Sequence, residues 1–161
     1  MPGGESLRKG EYYAHPRNRF WPLMTSLLRL PEGVSYDARL MALRRAGVGL
    51  WDVVQSCDRV GSLDADIVAA IYHDFGSFLR AYPNIQTILC NGSKAYDAFT
   101  RFVVPEIGVD CAARLRIRRL PSTSPANASY GMARLFEVWG TAFGYGFAEG
   151  VDVLLRLREN D

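Results

Sequence analysis

Residues 85–94 read IQTILCNGSK. A short apolar run, partly β-branched, passes straight into Asn-Gly and then into a segment whose Tyr96, Phe99 and Val103 recur at helical spacing until Pro105. A strand that is apolar on both sides of its pleat must be covered on both faces. A strand that feeds directly into a helix is the unit from which parallel sheets are built.

The same alternation runs through the rest of the chain. Ser35 is placed to cap a helix reaching Ala46, with Gly47 as its stop, and VGLWDVV (48–54) then reads as one buried strand. SLDADIVAAIY (62–72) opens on a Ser with acids behind it, the pattern of a helix. Asp74 caps a further helix carrying Phe75, Phe78, Leu79 and Tyr82 and ending before Pro83, and Ser93 caps the helix after the central strand. RLRIRRL (114–120) is a strand broken by PSTSPAN, and Met132, Leu135, Phe136, Trp139 and Phe143 line one face of a last helix. The fold class expected is α/β, a small parallel sheet between two helical layers.

The 161 residues, 48% of them hydrophobic, can bury one core and do not demand two, so 1–161 is read as a single domain. No apolar run approaches membrane-spanning length, and MPGGESLRKG lacks the apolar centre of a secretion signal, which points to the cytoplasm. Cys57, Cys90 and Cys111 are odd in number and far apart, and His15 and His73 are the only histidines. Neither a disulfide framework nor a metal site is indicated. Net charge is only +2, but residues 112–119 hold four arginines and no acid. Local basic surface of this kind suits a phosphate backbone, although a chain with 17 arginines and two lysines also carries arginine for no such reason.

In parallel sheets, ligands collect at the carboxyl ends of the strands. The loops expected there are MPGGESLRKGEYYAHPRN, QSCDRVGSLD, NGSK and LPSTSPAN. In the first, Asn18 is placed to cap a helix starting near Arg19 and burying Phe20, Trp21, Leu23 and Met24. Asn91 reads equally as an Asn-Gly turn or as a polar group at the mouth of a site.

Taken together, MPGGESLRKGEYYAHPRNRFW, LWDVVQSCDRVGSLDADI, CNG and LPSTSPAN resemble the hypoxanthine-DNA glycosylases, a branch of the uracil-DNA glycosylase superfamily, over residues 1 to about 140. The resemblance implies a three-layer α/β/α fold and removal of a deaminated base from DNA with no metal or organic cofactor. It implies that Asn18 is the catalytic asparagine, and that Asn91 meets the base. It also implies that the 121–127 loop clamps DNA beside the lesion. Met1, Pro2 and Gly3 fall in the first-motif loop, where many relatives carry a polar Asn or Asp at the position of Met1. Methionine there resembles the hypoxanthine branch. Relatives also carry an apolar strand inside the sheet immediately before this motif. Nothing precedes Met1, so a central strand is expected to be missing, and a start further upstream is the favoured explanation. The segment 144–161 is read as a turn and a tail without an assigned role.

A base rotated out of duplex DNA is held by stacking and by its hydrogen-bonding edge. Tyr12 or Tyr13 offers the stacking ring, with Tyr13 nearer the turn. Asn91 can pair with N1–H and O6 of hypoxanthine or with N3–H and O4 of uracil. His15 could stabilise charge on the base or a phosphate, or be structural. Asn18 is too weakly basic to take a proton and suits orienting a water or bonding the departing base. Ser122, Thr123, Ser124 and Asn127, with Arg118 and Arg119 just ahead, offer contacts to phosphates. Lys9 alone gives no support for Schiff-base chemistry, so a monofunctional enzyme leaving an abasic site is expected, for which a monomer suffices.

Overall fold

The computed structural model describes residues 4–59, 67–144 and 153–156. Met1, Pro2 and Gly3 lie outside them. In chain order the elements are α1 (Gly4–Lys9), α2 (Phe20–Leu27), α3 (Tyr36–Arg45), β1 (Val48–Leu50), β2 (Val54–Arg59) and β3 (Ile67–Tyr72). There follow α4 (Phe75–Ala81), β4 (Thr87–Asn91), α5 (Ser93–Ala98) running into a π-turn at Phe99–Val103, α6 (Val109–Arg114), β5 (Arg116–Leu120), α7 (Met132–Phe143) and β6 (Val153–Arg156).

Four strands form a parallel sheet in the order β1-β6-β4-β5. β4 shows why both faces must be covered. Leu89 enters one core with Phe20, Leu23, Leu43, Leu135 and Trp139 from α2, α3 and α7. Its neighbours Ile88 and Cys90 enter the other, with Phe75, Leu79, Phe99 and Val103 from α4 and the π-turn. The result is the expected three-layer α/β/α sandwich.

Several helix ends follow from single side chains. Ser35 Oγ accepts from Ala38 N (3.3 Å), and Gly47 takes a left-handed φ of +69° just past α3. Asp74 Oδ1 accepts from Ser77 N (2.9 Å) at the start of α4. Leu135, Trp139 and Phe143 recur on the buried stripe of α7, and Trp139 Nε1 donates to Pro121 O (3.0 Å), tying the helix to the loop after β5.

Four expectations need correction. The 48–54 segment is not one strand: it leaves the sheet after Leu50, and Trp51 turns into the second core, 4.0 Å from the Phe78 ring. The helix expected over 62–72 is, in its described part, strand β3, antiparallel to β2 in a separate two-stranded sheet. Ile67, Val68 and Ile71 are β-branched, and a pairing partner lies close by in the chain, which outweighs the Ser and acidic signals upstream. Ser93 is the first residue of α5 and not its cap. Gly92 holds the cap position, with no side-chain hydrogen bond and a φ of +100°. Finally, the segment read as a tail supplies β6, which sits inside the sheet. Val153 pairs with both Val48 and Thr87, and Leu154 with both Gly49 and Ile88. The interior position expected to be empty is therefore occupied by a strand from the carboxyl-terminal segment.

Candidate active site

A cavity of about 780 Å³ opens at the carboxyl end of β4, where the loop before α2, the β2–β3 sheet, the start of α5 and the loop after β5 meet. Tyr13, His15, Asn18, Asn91, Ser122, Thr123 and Ser124 all line it. These residues are up to 111 positions apart in sequence. The fold brings them together because each lies in a loop, or for Asn91 at the last position of β4, at one end of the parallel sheet.

Tyr13 is 7% exposed and has a φ of +55°, a left-handed conformation that costs a non-glycine residue about 1–2 kcal/mol. Two contacts hold it there. Its ring stacks on Phe20, with centroids 3.8 Å apart and planes 21° from parallel, and its hydroxyl accepts from Asn91 Nδ2 (3.0 Å). Tyr12 is directed elsewhere: its N–H donates to Tyr36 Oη (2.8 Å), and it does not line this cavity.

The His-Pro-Arg-Asn turn is closed by Asn18 N donating to His15 O (2.8 Å). His15 Nδ1 accepts from Arg17 N (3.1 Å), so in the neutral ring the proton sits on Nε2. Asn18 Oδ1 accepts from Phe20 N (3.0 Å) at the first turn of α2. Arg19 holds the cap position of α2 with no side-chain bond, so Asn18, one residue earlier, is not the cap that the sequence suggests; it braces the start of the helix through Phe20 N and lines the cavity at the same time, and Nδ2 is the half of its amide not used in that bond.

Asn91 is built into the opposite wall. Its Nδ2 donates to Tyr13 Oη and to Thr123 Oγ1 (2.9 Å), while its Oδ1 accepts from Thr123 N (2.9 Å). Thr123 is completely buried. Gly92 allows this close approach: a Cβ there would stand 3.0 Å from Ser122 Cβ.

The loop after β5 is internally bonded. Ser124 N donates to Ser122 Oγ (3.2 Å), Ala126 N to Ser124 Oγ (3.3 Å) and Asn127 Nδ2 to Ser122 O (2.8 Å). The amides of Thr123 and Ser124 are thus occupied, and the hydroxyl hydrogens of Ser122 and Ser124 are what this loop can offer an anion. Asn127 closes the loop and does not reach the cavity. Arg118 and Arg119 are exposed on β5, outside the cavity lining, on opposite sides of the strand.

Arg19 is the functional residue that sequence reasoning missed. Its guanidinium donates to the carbonyls of Ser124 (2.6 Å), Asn127 (2.9 Å) and Tyr130, and its backbone N–H donates to Thr123 O (3.1 Å). One side chain next to Asn18 thereby gathers the whole 123–130 loop. No local signal reveals this, because every partner lies more than a hundred residues away. Arg114, read as part of a basic surface, likewise donates to the carbonyls of Leu79, Pro83 and Ile85. Trp51, Tyr72, Phe99, Arg101 and Phe102 extend the cavity beyond the polar end, with Tyr72 and Phe102 stacked 4.6 Å apart.

Burial pushes the Cys90 thiol up to about 12, which removes it as a nucleophile at neutral pH although it lines the cavity. Among the described residues, no group of three or more His, Cys, Asp or Glu could hold a metal ion, and no helix is long and apolar enough to cross a membrane.

Comparison with known proteins agrees with this geometry. Residues 1–141 match the family model described as the Uracil DNA glycosylase superfamily. A hypoxanthine DNA glycosylase of Methanosarcina acetivorans is 32% identical over 146 residues, 89% of this chain and 85% of that one. One from Methanosarcina barkeri is 38% identical over 96 residues, 59% of this chain and 61% of that one. The solution structure of a Methanosarcina acetivorans protein assigned as a uracil DNA glycosylase superposes with a TM-score of 0.71 at 30% identity, covering 89% of this chain and 84% of that one. With its sheet order, its cavity at the end of the central strand and these similarities, the chain belongs to the uracil DNA glycosylase superfamily.

Proposed function

We propose that this protein is a monofunctional DNA glycosylase that removes a deaminated base, hypoxanthine before others, and leaves an abasic site. The observation that carries the reading is the convergence of Tyr13, Asn18 and Asn91 on one cavity beside the 122–124 loop. The two relatives named hypoxanthine DNA glycosylases favour hypoxanthine as the first substrate to test.

The target nucleotide leaves the stack and its base enters the polar end of the cavity, where Tyr13, backed by Phe20, supplies a rigid aromatic face. The hydroxyls of Ser122 and Ser124 donate to phosphate oxygens flanking the opened nucleotide, and Arg118 and Arg119 add sequence-independent attraction from β5. As the C1′–N9 bond breaks, its electron pair passes to the base and positive character grows on the sugar. Water adds its oxygen to C1′ and gives up a proton, which ends on the released base. Asn18 Nδ2 donates to the departing base or orients that water, and the bond from Phe20 N to Oδ1 fixes its direction. The amino terminus of α2 adds partial positive charge on the same side. His15, on the same rim, can donate from Nε2 to the base or to a phosphate. None of these roles requires a cofactor.

The test is excision from otherwise identical duplexes carrying hypoxanthine, xanthine or uracil. Hypoxanthine should be released fastest; preferential release of uracil, which the description of the solution structure would favour, would overturn the substrate order.

A further inference from the structure

We propose that the outer end of the cavity, built by Tyr72, Arg101 and Phe102, is a second subsite, which stacks the nucleobase next to the extruded one on the same strand. This rests on the glycosylase reading of the site and extends it by one nucleotide. The cavity holds about 780 Å³, and a single base at its polar end fills only part of that. Phe102 lines the outer end, is 42% exposed and belongs to neither core, although phenylalanine is ordinarily among the most buried side chains. It sits on the π-turn at Phe99–Val103, closed by Val104 N donating to Phe99 O (3.0 Å), and turns of this kind are frequent at functional sites. Tyr72 stacks on Phe102, with centroids 4.6 Å apart and planes 16° from parallel, and so steadies the ring on the cavity wall. Arg101, also exposed, places its guanidinium carbon 5.3 Å from the centre of the same ring.

An aromatic pair with a guanidinium beside it is the composition that holds bases of an unpaired strand, because every base presents a flat π-face and an arginine plane can rest on it. A phosphate fits this end poorly. Asp97 lines the same wall one turn before Arg101 and repels an anion, while the hydroxyls of Ser122 and Ser124 lie on the other side of the cavity. Among the described residues no carboxylate pairs with Arg101, so its guanidinium stays available to a ligand. Stacking does not depend on which base stands there, so the subsite strengthens binding beside a lesion in any sequence. It also means that two adjacent nucleotides leave the helical stack, and that contact with Phe102 offsets the cost of opening the second.

Single-turnover excision at increasing protein concentration tests this with three deoxyinosine duplexes: one intact, one with the base 5′ to the lesion replaced by tetrahydrofuran, and one with the 3′ base so replaced. Wild type, Phe102→Ala and Phe102→Trp are compared on each duplex, so that any effect of the missing base on opening the helix cancels. Phe102→Ala should raise the half-saturating concentration on the intact duplex about tenfold, the scale of one base–aromatic stack, and leave the maximal rate within about threefold. On one of the two duplexes lacking a neighbour, the same variant should match the wild type within about twofold, since the base that Phe102 holds is already absent. Phe102→Trp, which keeps a flat ring, should stay within about threefold of the wild type on the intact duplex. An equal loss in Phe102→Ala on all three duplexes would overturn the proposal, because Phe102 would then only support the cavity wall. So would the absence of any loss on the intact duplex. Release of no hypoxanthine by the wild type from any duplex would instead remove the glycosylase reading, and this proposal with it.

Discussion

Replacing Arg19 with methionine keeps most of the apolar stem and removes every guanidinium bond to the loop after β5. The carbonyls of Ser124, Asn127 and Tyr130 lose their donor, and Thr123 O loses a long fourth bond from Nε (3.4 Å) but keeps the backbone bond from residue 19, so three carbonyls are left without a partner from residue 19. A hydrogen bond from a charged donor contributes roughly 1.5–3 kcal/mol, so three are worth several kcal/mol at face value. The loop lies at the rim of a cavity, where water can replace part of what is lost, and the expected net cost is about 2–4 kcal/mol. Against the usual stability of a domain, about 5–15 kcal/mol, the fold survives. What should fail is the loop: hydrogen exchange at residues 122–130 should speed up more than in α7, and excision should fall about a hundredfold, the scale expected when catalytic groups are misplaced by about an ångström. Urea melts, site-resolved exchange and single-turnover excision measure the three effects separately. Arg19→Lys should recover only part of the loss, since one ammonium cannot span three carbonyls. If Arg19→Met matches the wild type in exchange and excision, the guanidinium does not organise the loop.

Other perturbations test other layers of the account. Gly92→Ala should cost about 2 kcal/mol or more by urea melt, because the new Cβ meets Ser122 Cβ at 3.0 Å and the φ of +100° is unfavourable for alanine; a silent change would contradict the close approach of β4 to the loop. Leu154→Pro removes a backbone donor from a strand paired on both sides and should destabilise by about 3 kcal/mol or more, whereas a variant as stable as the wild type would show that β6 does not lie within the sheet. Cys90 gives a pH dependence. Its thiol ionises near 12 in the folded protein against 9.0 ordinarily, so the proton is held more tightly when folded. That contribution is complete below pH 9 and is lost as pH rises toward 12, by up to about 1.4 kcal/mol per pH unit. Stability measured from pH 8 to 10.5 should fall less steeply in Cys90→Ala than in the wild type, and equal slopes would refute the buried-thiol account.

Much of the fold could be read from local pattern because local forces decide those elements. Ser35 and Asp74 do cap their helices, β4 is apolar because both its faces are buried, and α7 carries its core residues on one stripe. Tyr13, His15, Asn18, Asn91, Ser122, Thr123 and Ser124 do converge at one end of a parallel sheet, whereas residues 55–59, expected in a loop there, belong to strand β2, and residues 60–64 of the same motif lie outside the described residues. The failures share a cause in distance or in competition. The 67–72 segment carries both helical and strand signals, and its pairing with 54–59 decides between them. β6 is short, and nothing local distinguishes a strand that will slot between two others from an exposed tail. Arg19 was overlooked because its partners are backbone carbonyls, which leave no trace in side-chain composition. Arg118 and Arg119 keep only their charge as an argument, since the structure sets them away from the cavity.

The central claim is that Asn18 both holds the helix start and acts on the base. Wild type and Asn18→Ala should be compared by single-turnover release of free hypoxanthine from a deoxyinosine duplex, with urea melts of both proteins. Loss of the bond from Phe20 N to Asn18 Oδ1 should lower stability by about 1 kcal/mol, leaving a folded protein, while release of hypoxanthine should fall by a factor of about 10²–10³ with the strand left unbroken at the abasic site in the wild type. Equal rates of release by the two proteins, or no release by either, would contradict it.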